Sequence, residues 1–390
     1  MIFKGSSDLS PVVTIAIDGV PVDHLSIKRL SLELTENMHN LCILEFAGLN
    51  PQLIDQYIDR PVTISVALRE RPTSSFFGYI SHLEPLSVTS AGTVNNSPFQ
   101  MTRVYCLGAS YIMKSRKTRV WANKNIYEIA TELADNYKFS VSVPRDDYRI
   151  ERLVQKSQSD WAFLAYAADL WGYRVLMDGT HIHIWDPYKA LNHRISYSAL
   201  HTVRGLNGNP SPHPGQILKF DGKIGAVSPD GSRSYDTLHL LDKQGQLLSV
   251  LNEDFAEQSG LGTPVNSQFT NVLNVNADTY EMGAKIVEAA LRKKFPMTAY
   301  VEVVGDPGIV PGGIVNIKEY NTQFDGFWYV NSVKHEIAQT AMVSYLRISK
   351  DSLDGITPSP NATSQYITPP TPALTNGKWM AGQELVNIYV

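Results

Sequence analysis

Apolar and polar residues alternate through the first hundred positions. Leu30, Leu32 and Leu34 are separated by Ser31 and Glu33, and Val62, Ile64, Val66 and Leu68 by Thr63, Ser65 and Ala67. A period of two over four to eight residues predicts half-buried strands with one face in a core. Val12–Ile17 runs into Asp18-Gly19, a hairpin-type turn pair. Ser75–Leu83 and Met101–Leu107 extend the series around the polar stretch Ser90–Ser97. Short strands in succession predict a small antiparallel barrel or sandwich, and a barrel leaves no free edge.

The period changes after Gly108. Ile126, Ile129, Ala130, Leu133, Ala134 and Tyr137 recur at helical spacing, with Asn125 and Glu128 in a capping-box pattern. A second helix is predicted over Ser157–Trp171. Asp160 stands three after Ser157, Trp161, Leu164, Ala165 and Ala168 form the stripe, and Gly172 ends it in a left-handed conformation. Tyr173–Met177, Asp178-Gly179 and Thr180–Trp185 read as a hairpin. The Pro- and Gly-rich run Asn207–Gly215 marks a boundary. Strands are predicted at Gln216–Phe220, Thr237–Leu241 and Leu247–Leu251, a third helix from Asp278 to Lys294, and strands again at Thr298–Val304, Gly313–Ile317, Phe327–Ile337 and Ala341–Ile348.

The two halves echo each other. Val62–Leu68, the Phe77-Gly78 element with its long strand, and Met101–Leu107 form one series. Gly313–Ile317, the Gly326-Phe327 element with its long strand, and Ala341–Ile348 form another. The pattern predicts two similar β units interrupted or followed by helices.

Composition adds a constraint on the surface. Of 390 residues only 18% are charged, nineteen are Tyr, and the net charge is -4. Soluble domains carry about 25% charged residues, and interfaces favour aromatics over Lys and Glu. The balance offers no basic footprint for nucleic acid and is neither charged nor aromatic-poor enough for disorder. Cys42 and Cys106 have no third partner and lie in apolar runs, so buried free thiols are expected. Neither a signal peptide nor a run of ~20 apolar residues is read in the chain. Residues 355–377 contain five prolines and no charge, which predicts an extended tail. Tyr366, Ile367, Leu374, Trp379, Leu385 and Tyr389 in and beyond it are the candidate partner-binding residues.

Catalytic spacings are missing. His335-Glu336 is not followed by a second His at zinc-protease spacing, and Gly305–Gly313 sits between strands as a turn. His181 and His183 share a strand face, but only Asp186 stands near as a third ligand, and no metal site is assigned. Asp146-Asp147 are sequence neighbours, which point apart rather than converge as a glycosidase pair. No catalytic residue and no cofactor is expected.

The run Val154-Gln155-Lys156-Ser157-Gln158-Ser159-Asp160-Trp161-Ala162-Phe163-Leu164, followed by Gly172-Tyr173-Arg174-Val175, resembles the baseplate hub proteins of contractile-tailed bacteriophages. These are the late-control protein D family, related to the N-terminal hub part of type VI secretion spike proteins. Arg119-Val120-Trp121 with Asn125–Ile129, and Pro311–Val315 with Trp328-Tyr329-Val330, Val333 and His335, are similar to further parts of that family. The resemblance implies a homotrimer whose subunits each give two similar barrels, joining a sixfold tail tube to a threefold spike. It implies a separate central spike protein, the tail tube protein and other baseplate proteins as partners, with the tape measure protein a further neighbour. No specific nucleic-acid or membrane binding is implied. The location would be the virion tail baseplate, after synthesis in the host cytoplasm. Three copies would carry a net charge of -12, which suits a lumen that does not retain DNA.

Together these readings give a β-rich α+β fold: two similar small antiparallel β-barrels with helix-bearing α+β insertions. The expected domains are a first barrel (1–110), an α+β domain of two helices and a hairpin (111–206), and a second barrel (207–250 plus 296–350). A helix-bearing insertion (251–295) interrupts the second barrel, and an extended C-terminal tail (351–390) closes the chain. The hub of a phage-derived injection system (tailocin or type VI related) would share this fold. A β-rich carbohydrate-active enzyme is the alternative of a different class, and converging carboxylates in a pocket would mark it.

Overall fold

The computed structural model describes residues 11–22, 27–47, 56–67, 74–87, 100–144, 149–187, 196–201, 217–224, 237–241, 247–251, 272–276, 297–318, 324–338, 341–350, 374–375 and 378–379. The alternating positions of the first hundred residues form the expected strands. These are β1 (Val12–Ile17), β2 (Val20–Val22), β3 (Ile27–Thr35), β4 (Leu41–Ala47), β5 (Pro61–Ala67), β6 (Ser74–Ser87) and β7 (Gln100–Gly108). Leu30, Leu32, Val62, Ile64 and Val66 are all buried. Asp18 and Gly19 take φ of 52° and 76°, the left-handed pair of a two-residue hairpin turn.

Next come a 3-10 turn (Ala109–Lys114), β8 (Arg116–Lys124), α1 (Ile126–Asn136), β9 (Ser140–Ser142), β10 (Ile150–Ser159), α2 (Asp160–Leu170), β11 (Arg174–Asp178) and β12 (His181–Trp185). α1 starts as its sequence requires: the Asn125 side chain accepts from Glu128 N at 2.8 Å, and Glu128 Oε2 accepts from Asn125 N at 3.1 Å. α2 starts later than the Ser157–Trp171 pattern suggests. Its cap is Ser159, whose hydroxyl accepts from Ala162 N, while Ser157 stands at φ 49° in the bulge between Gln155 and Gln158. Gly172, at φ 75°, follows the helix as expected. The hairpin loop is Gly179-Thr180 rather than Asp178-Gly179, because Asp178 pairs with His181. Ile129, Ala130, Leu133, Phe163, Leu164, Val175 and Ile182 share a core of their own, with Trp121 stacked on Phe163.

The second half gives β13 (Ser196–His201), β14 (Ile217–Ile224), β15 (Thr237–Leu241), β16 (Leu247–Leu251), β17 (Val272–Asn276), β18 (Met297–Val304), β19 (Ile314–Lys318), β20 (Gly326–Ala338) and β21 (Ala341–Lys350). β22 (Leu374–Thr375) and β23 (Lys378–Trp379) form a short pair. The helix expected over Asp278–Lys294 lies outside the described residues.

The echo between halves is a repeat of strand order and register. The orders β3-β4-β7-β6-β5 and β14-β18-β21-β20-β19 are the same walk through five antiparallel strands. Across the first, Leu30 faces Leu44, Leu44 faces Val104, and Val104 faces Leu83. Across the second, Phe220 faces Val301, Val301 faces Leu346, and Leu346 faces Val333. The next row, on the opposite and less buried face, is Arg29–Glu45–Arg103–Glu84 in one and Lys219–Glu302–Tyr345–Lys334 in the other. Both bulges recur too, at Ser81 and Asn331 in the long strands and at Lys28 and Leu218 in the first strands.

The chain is therefore a β-rich α+β protein, and among the described residues the strands of its repeats form one continuous sheet in which neither repeat closes as a barrel of its own. β3 of the first repeat pairs with β20 of the second, which makes one sheet of thirteen described strands over one contiguous core from Ile15 to Ile348. Among the described residues no ladder closes either repeat on itself. The union has a physical source: Leu34, Leu32 and Leu30 stand opposite Val333, His335 and Ile337, so the apolar alternation of β3 continues across the joint.

Candidate assembly site

Among the described residues the histidines singled out in the sequence are held by neighbouring groups. The His181 and His183 rings lie 4.2 Å apart, but both are tied to serine hydroxyls of β9: Ser140 to His181 Nδ1 at 2.7 Å and Ser142 to His183 Nδ1 at 3.2 Å. Burial holds both below the usual histidine value, at about 4 and about 3. Strand alternation separates His335 from Glu336. His335 is buried, with Nδ1 2.8 Å from Ser344 Oγ and Nε2 3.1 Å from the Ile309 carbonyl, while Glu336 meets Arg29 at 2.9 Å. Among the described residues no group of three or more His, Cys, Asp or Glu is placed to hold a metal ion. Asp146 and Asp147 lie outside the described residues. Cys42 and Cys106 face each other across β4 and β7 as buried free thiols.

The family-like run around Asp160 is a structural lock. Ser157 takes the bulge, Ser159 caps the helix, and Trp161 enters the core. Asp160 is fully buried and accepts from Lys117 Nζ at 2.5 Å, Tyr137 OH at 2.7 Å and Gln155 Nε2 at 2.8 Å. Burial pushes its carboxyl up, but donation from Gln155, Lys117 and Tyr137 outweighs it and holds the pKa below the usual aspartate range.

A second polar cluster ties the three units together, and it hangs on the turn from Glu36 to Asn40. Asn37 N donates to the Val175 carbonyl at 2.8 Å, and Val175 N donates to Asn37 Oδ1 at 2.9 Å. Asn40 Nδ2 reaches the Met177 carbonyl at 2.5 Å, and its own carbonyl accepts from Gly108 N at 2.8 Å. His39 stacks on Trp161. Glu36 accepts from the Tyr329 hydroxyl and lies 3.3 Å from Arg174 Nε, and Trp185 Nε1 donates to Tyr329 OH at 3.0 Å. Burial raises the Glu36 carboxyl to about 7 against the opposing effects of Arg174, Tyr329 and Asn331. Gly312, at φ 83°, lets the Trp185 ring approach: a Cβ there would lie 2.9 Å from it. Glu36 is nearly closed to solvent, so this cluster positions units and presents no reactive group. No local signal announces it, since Glu36-Asn37-Met38-His39-Asn40 reads as an ordinary polar turn whose partners lie far along the chain.

Among the described residues exposed apolar side chains occur on helices, at turns and on a two-stranded ribbon. β8 and β10 form a two-stranded ribbon with Trp121 and Leu153 facing inward and Val120 opposite Val154 outward, flanked by exposed Arg116, Arg152 and Lys156. Of the candidate partner-binding residues, Leu374 and Trp379 stand opposite each other in the β22–β23 pair, and Tyr366, Ile367, Leu385 and Tyr389 lie outside the described residues.

This architecture is the fold of phage tail proteins. A tail protein from Neisseria meningitidis matches with a TM-score of 0.63 at 12% identity, over 89% of this chain and 99% of that one. The 43 kDa tail protein of prophage MuSo2 from Shewanella oneidensis matches with a TM-score of 0.59 at 12% identity, over 87% and 98%. An Escherichia coli component of the type VI secretion system, described as structurally similar to bacteriophage T4 tail proteins, matches with a TM-score of 0.53 at 11% identity, over 88% and 79%. A family model, the Alg8 N-terminal domain, matches residues 93–199, well under half of the chain. No curated protein matches it.

Proposed function

We propose that this protein is the baseplate hub of a contractile phage tail, a trimeric adaptor between the sixfold tail tube and the threefold central spike. The observation that carries the reading is the repeat of strand order, register and bulges within one chain. Two near-equivalent units per subunit are what a symmetry adaptor needs, because three subunits then present six similar faces to the tube while keeping three for the spike. The shared fold with phage tail proteins supports the setting. The likeness to a type VI secretion component supports a phage-derived injection system as a second reading, and the adaptor geometry would serve either.

In this reading two repeats flank the α+β unit, β15 and β16 join β17 in a small sheet of their own rather than the second repeat, and the C-terminal tail reaches for the spike through Tyr366, Ile367, Leu374, Trp379, Leu385 and Tyr389. The role is binding, with other baseplate proteins and the tape measure protein around the same ring, and it needs no cofactor. The test is the solution mass of the full chain, with and without tube and spike proteins. A trimer that captures both supports the adaptor. A monomer that hydrolyses a glycan would end it.

A further inference from the structure

We infer that the free edge of β14 in one copy of this chain pairs with the free half of β6 in the next. The argument is the repeat itself. In the second repeat the long strand β20 divides one edge between two partners: Gly326–Tyr329 pairs with β19, and Ser332–Ala338 pairs with β3 of the first repeat. In the first repeat the corresponding strand β6 pairs with β5 through Ser74–Tyr79, and beyond Ile80 that edge has no ladder among the described residues. β14 corresponds to β3, and it ends the sheet with a ladder to β18 alone among the described residues. Among the described residues each chain thus uses one joint internally and carries both halves of the equivalent joint without a ladder, at opposite ends of its repeats.

The two repeats share one register, so the internal joint fixes the register between copies. Internally Val333 faces Leu34 and Lys334 faces Glu33. Transferred to the equivalent positions, Leu83 of one copy faces Ile224 of the other, Glu84 faces Lys223, and Leu86 faces Asp221. The apolar match is kept at the first position. At the second the charges are exchanged yet still opposite, acid on the long strand where the internal joint has the base. Directly opposed unlike charges stabilise a sheet, and like charges destabilise it. Both are placed to do this: Lys223 is exposed, and Glu84 is about half exposed and held by Arg103 at 3.3 Å and Tyr105 OH at 3.0 Å. Pro85 brings no N–H and is the one position where this ladder can carry a bond fewer. The contact is head-to-tail, and such contacts close into a ring when the rotation between copies divides the circle. Closure at three copies rests on the hub reading; the ladder rests on the repeat alone.

The test places Glu84→Cys and Lys223→Cys in one full-length chain. Opposite residues in an antiparallel pair hold their Cβ atoms roughly 4.5–5.5 Å apart, close to disulfide reach. Mild oxidation is expected to give a covalent ring that neither single variant forms, and pairing Glu84→Cys with Lys219→Cys is expected to lower the yield by about tenfold because a shifted register parts the Cβ atoms. Charge reversal is the second measurement. Glu84→Lys or Lys223→Glu alone is expected to weaken assembly by about tenfold, and the double reversal to restore it. A trimer in which the two introduced thiols do not link overturns the ladder and leaves the hub reading standing. A linked ring of another copy number keeps the ladder and overturns the hub. A chain that stays monomeric and unlinked at every concentration overturns the ladder.

Discussion

Asp160 offers the sharpest test of how the family-like motif works. It is fully buried, and its two oxygens take three donors: Gln155 on Oδ1, and Lys117 with Tyr137 on Oδ2. Asp160→Ala removes all three bonds. Lys117 is 44% exposed and can turn to water, but Gln155 is fully buried and its Oε1 already lacks a partner. A buried donor left without its acceptor costs ~1–3 kcal/mol, and with Gln155 and Tyr137 both stranded ~2–5 kcal/mol is expected for Asp160→Ala against a total stability of ~5–15 kcal/mol. Asp160→Asn keeps the Gln155 contact and loses the charge, for ~1.5–3 kcal/mol. Lys117→Ala leaves the buried Asp160 carboxylate with Gln155 and Tyr137 but without its cation, and is expected to cost ~1.5–3 kcal/mol. Urea unfolding followed by tryptophan fluorescence measures all three, since Trp161 adjoins the site. The pH dependence gives an independent sign. The Asp160 carboxyl is held below its usual range, so its contribution is complete above the unfolded aspartate value and is lost as pH falls through the lower folded value. The gap between wild type and Asp160→Asn should therefore narrow on acidification. A cost for Asp160→Ala below ~1 kcal/mol at neutral pH, or a gap that widens in acid, would refute the account.

Three further outcomes are expected. Glu36 has the opposite sign: its folded carboxyl sits at about 7 rather than 4.5, so stability falls as pH rises across that window, and thermal unfolding of Glu36→Gln at about pH 5 and about pH 8 should show that slope abolished. Gly78→Ala would place a Cβ 2.1 Å from the Leu107 carbonyl oxygen and should cost ~3 kcal/mol or more, whereas Gly19→Ala meets nothing within 4 Å and should cost only the ~1–2 kcal/mol of its left-handed backbone; urea midpoints of the two variants separate these effects. Cys42 and Cys106 are fully buried with thiols raised by burial, so iodoacetamide should label neither in the native protein and both in denaturant, as mass spectrometry would report.

What the sequence discloses depends on whether the deciding contacts are local. The strands of the first hundred residues can be read because one face is buried throughout, and α1 because its cap and its third residue bond each other. The Ser157 start read for α2 is two residues early because Ser157, Ser159 and Asp160 offer two capping patterns, and only the bulge after Gln155 decides between them. β8 and β10 carry little strand signal because a two-stranded ribbon buries few positions, Trp121, Leu153 and Gln155 among them, and carries Arg and Lys elsewhere. The turn from Glu36 to Asn40 has partners in β11, β12 and β20, and no local pattern encodes them.

The repeat is faint in sequence for a different reason. What recurs is the role of each position, so Leu30–Leu44–Val104 becomes Phe220–Val301–Leu346, and identity is lost while burial and register are kept. The bulges show how one backbone then serves two ends. A bulge leaves one residue out of the ladder and sharpens the local twist. In β6 that residue is Ser81, and its hydroxyl bonds the adjacent Tyr105 carbonyl, so the irregularity is satisfied inside its own repeat. In β20 it is Asn331, and its carbonyl accepts from Glu36 N, so the same irregularity receives the turn that joins the other repeat. The repeats are thus equal in backbone and unequal in what they bind, and among the described residues that inequality leaves the outer half of β6 without a ladder where β20 already has one.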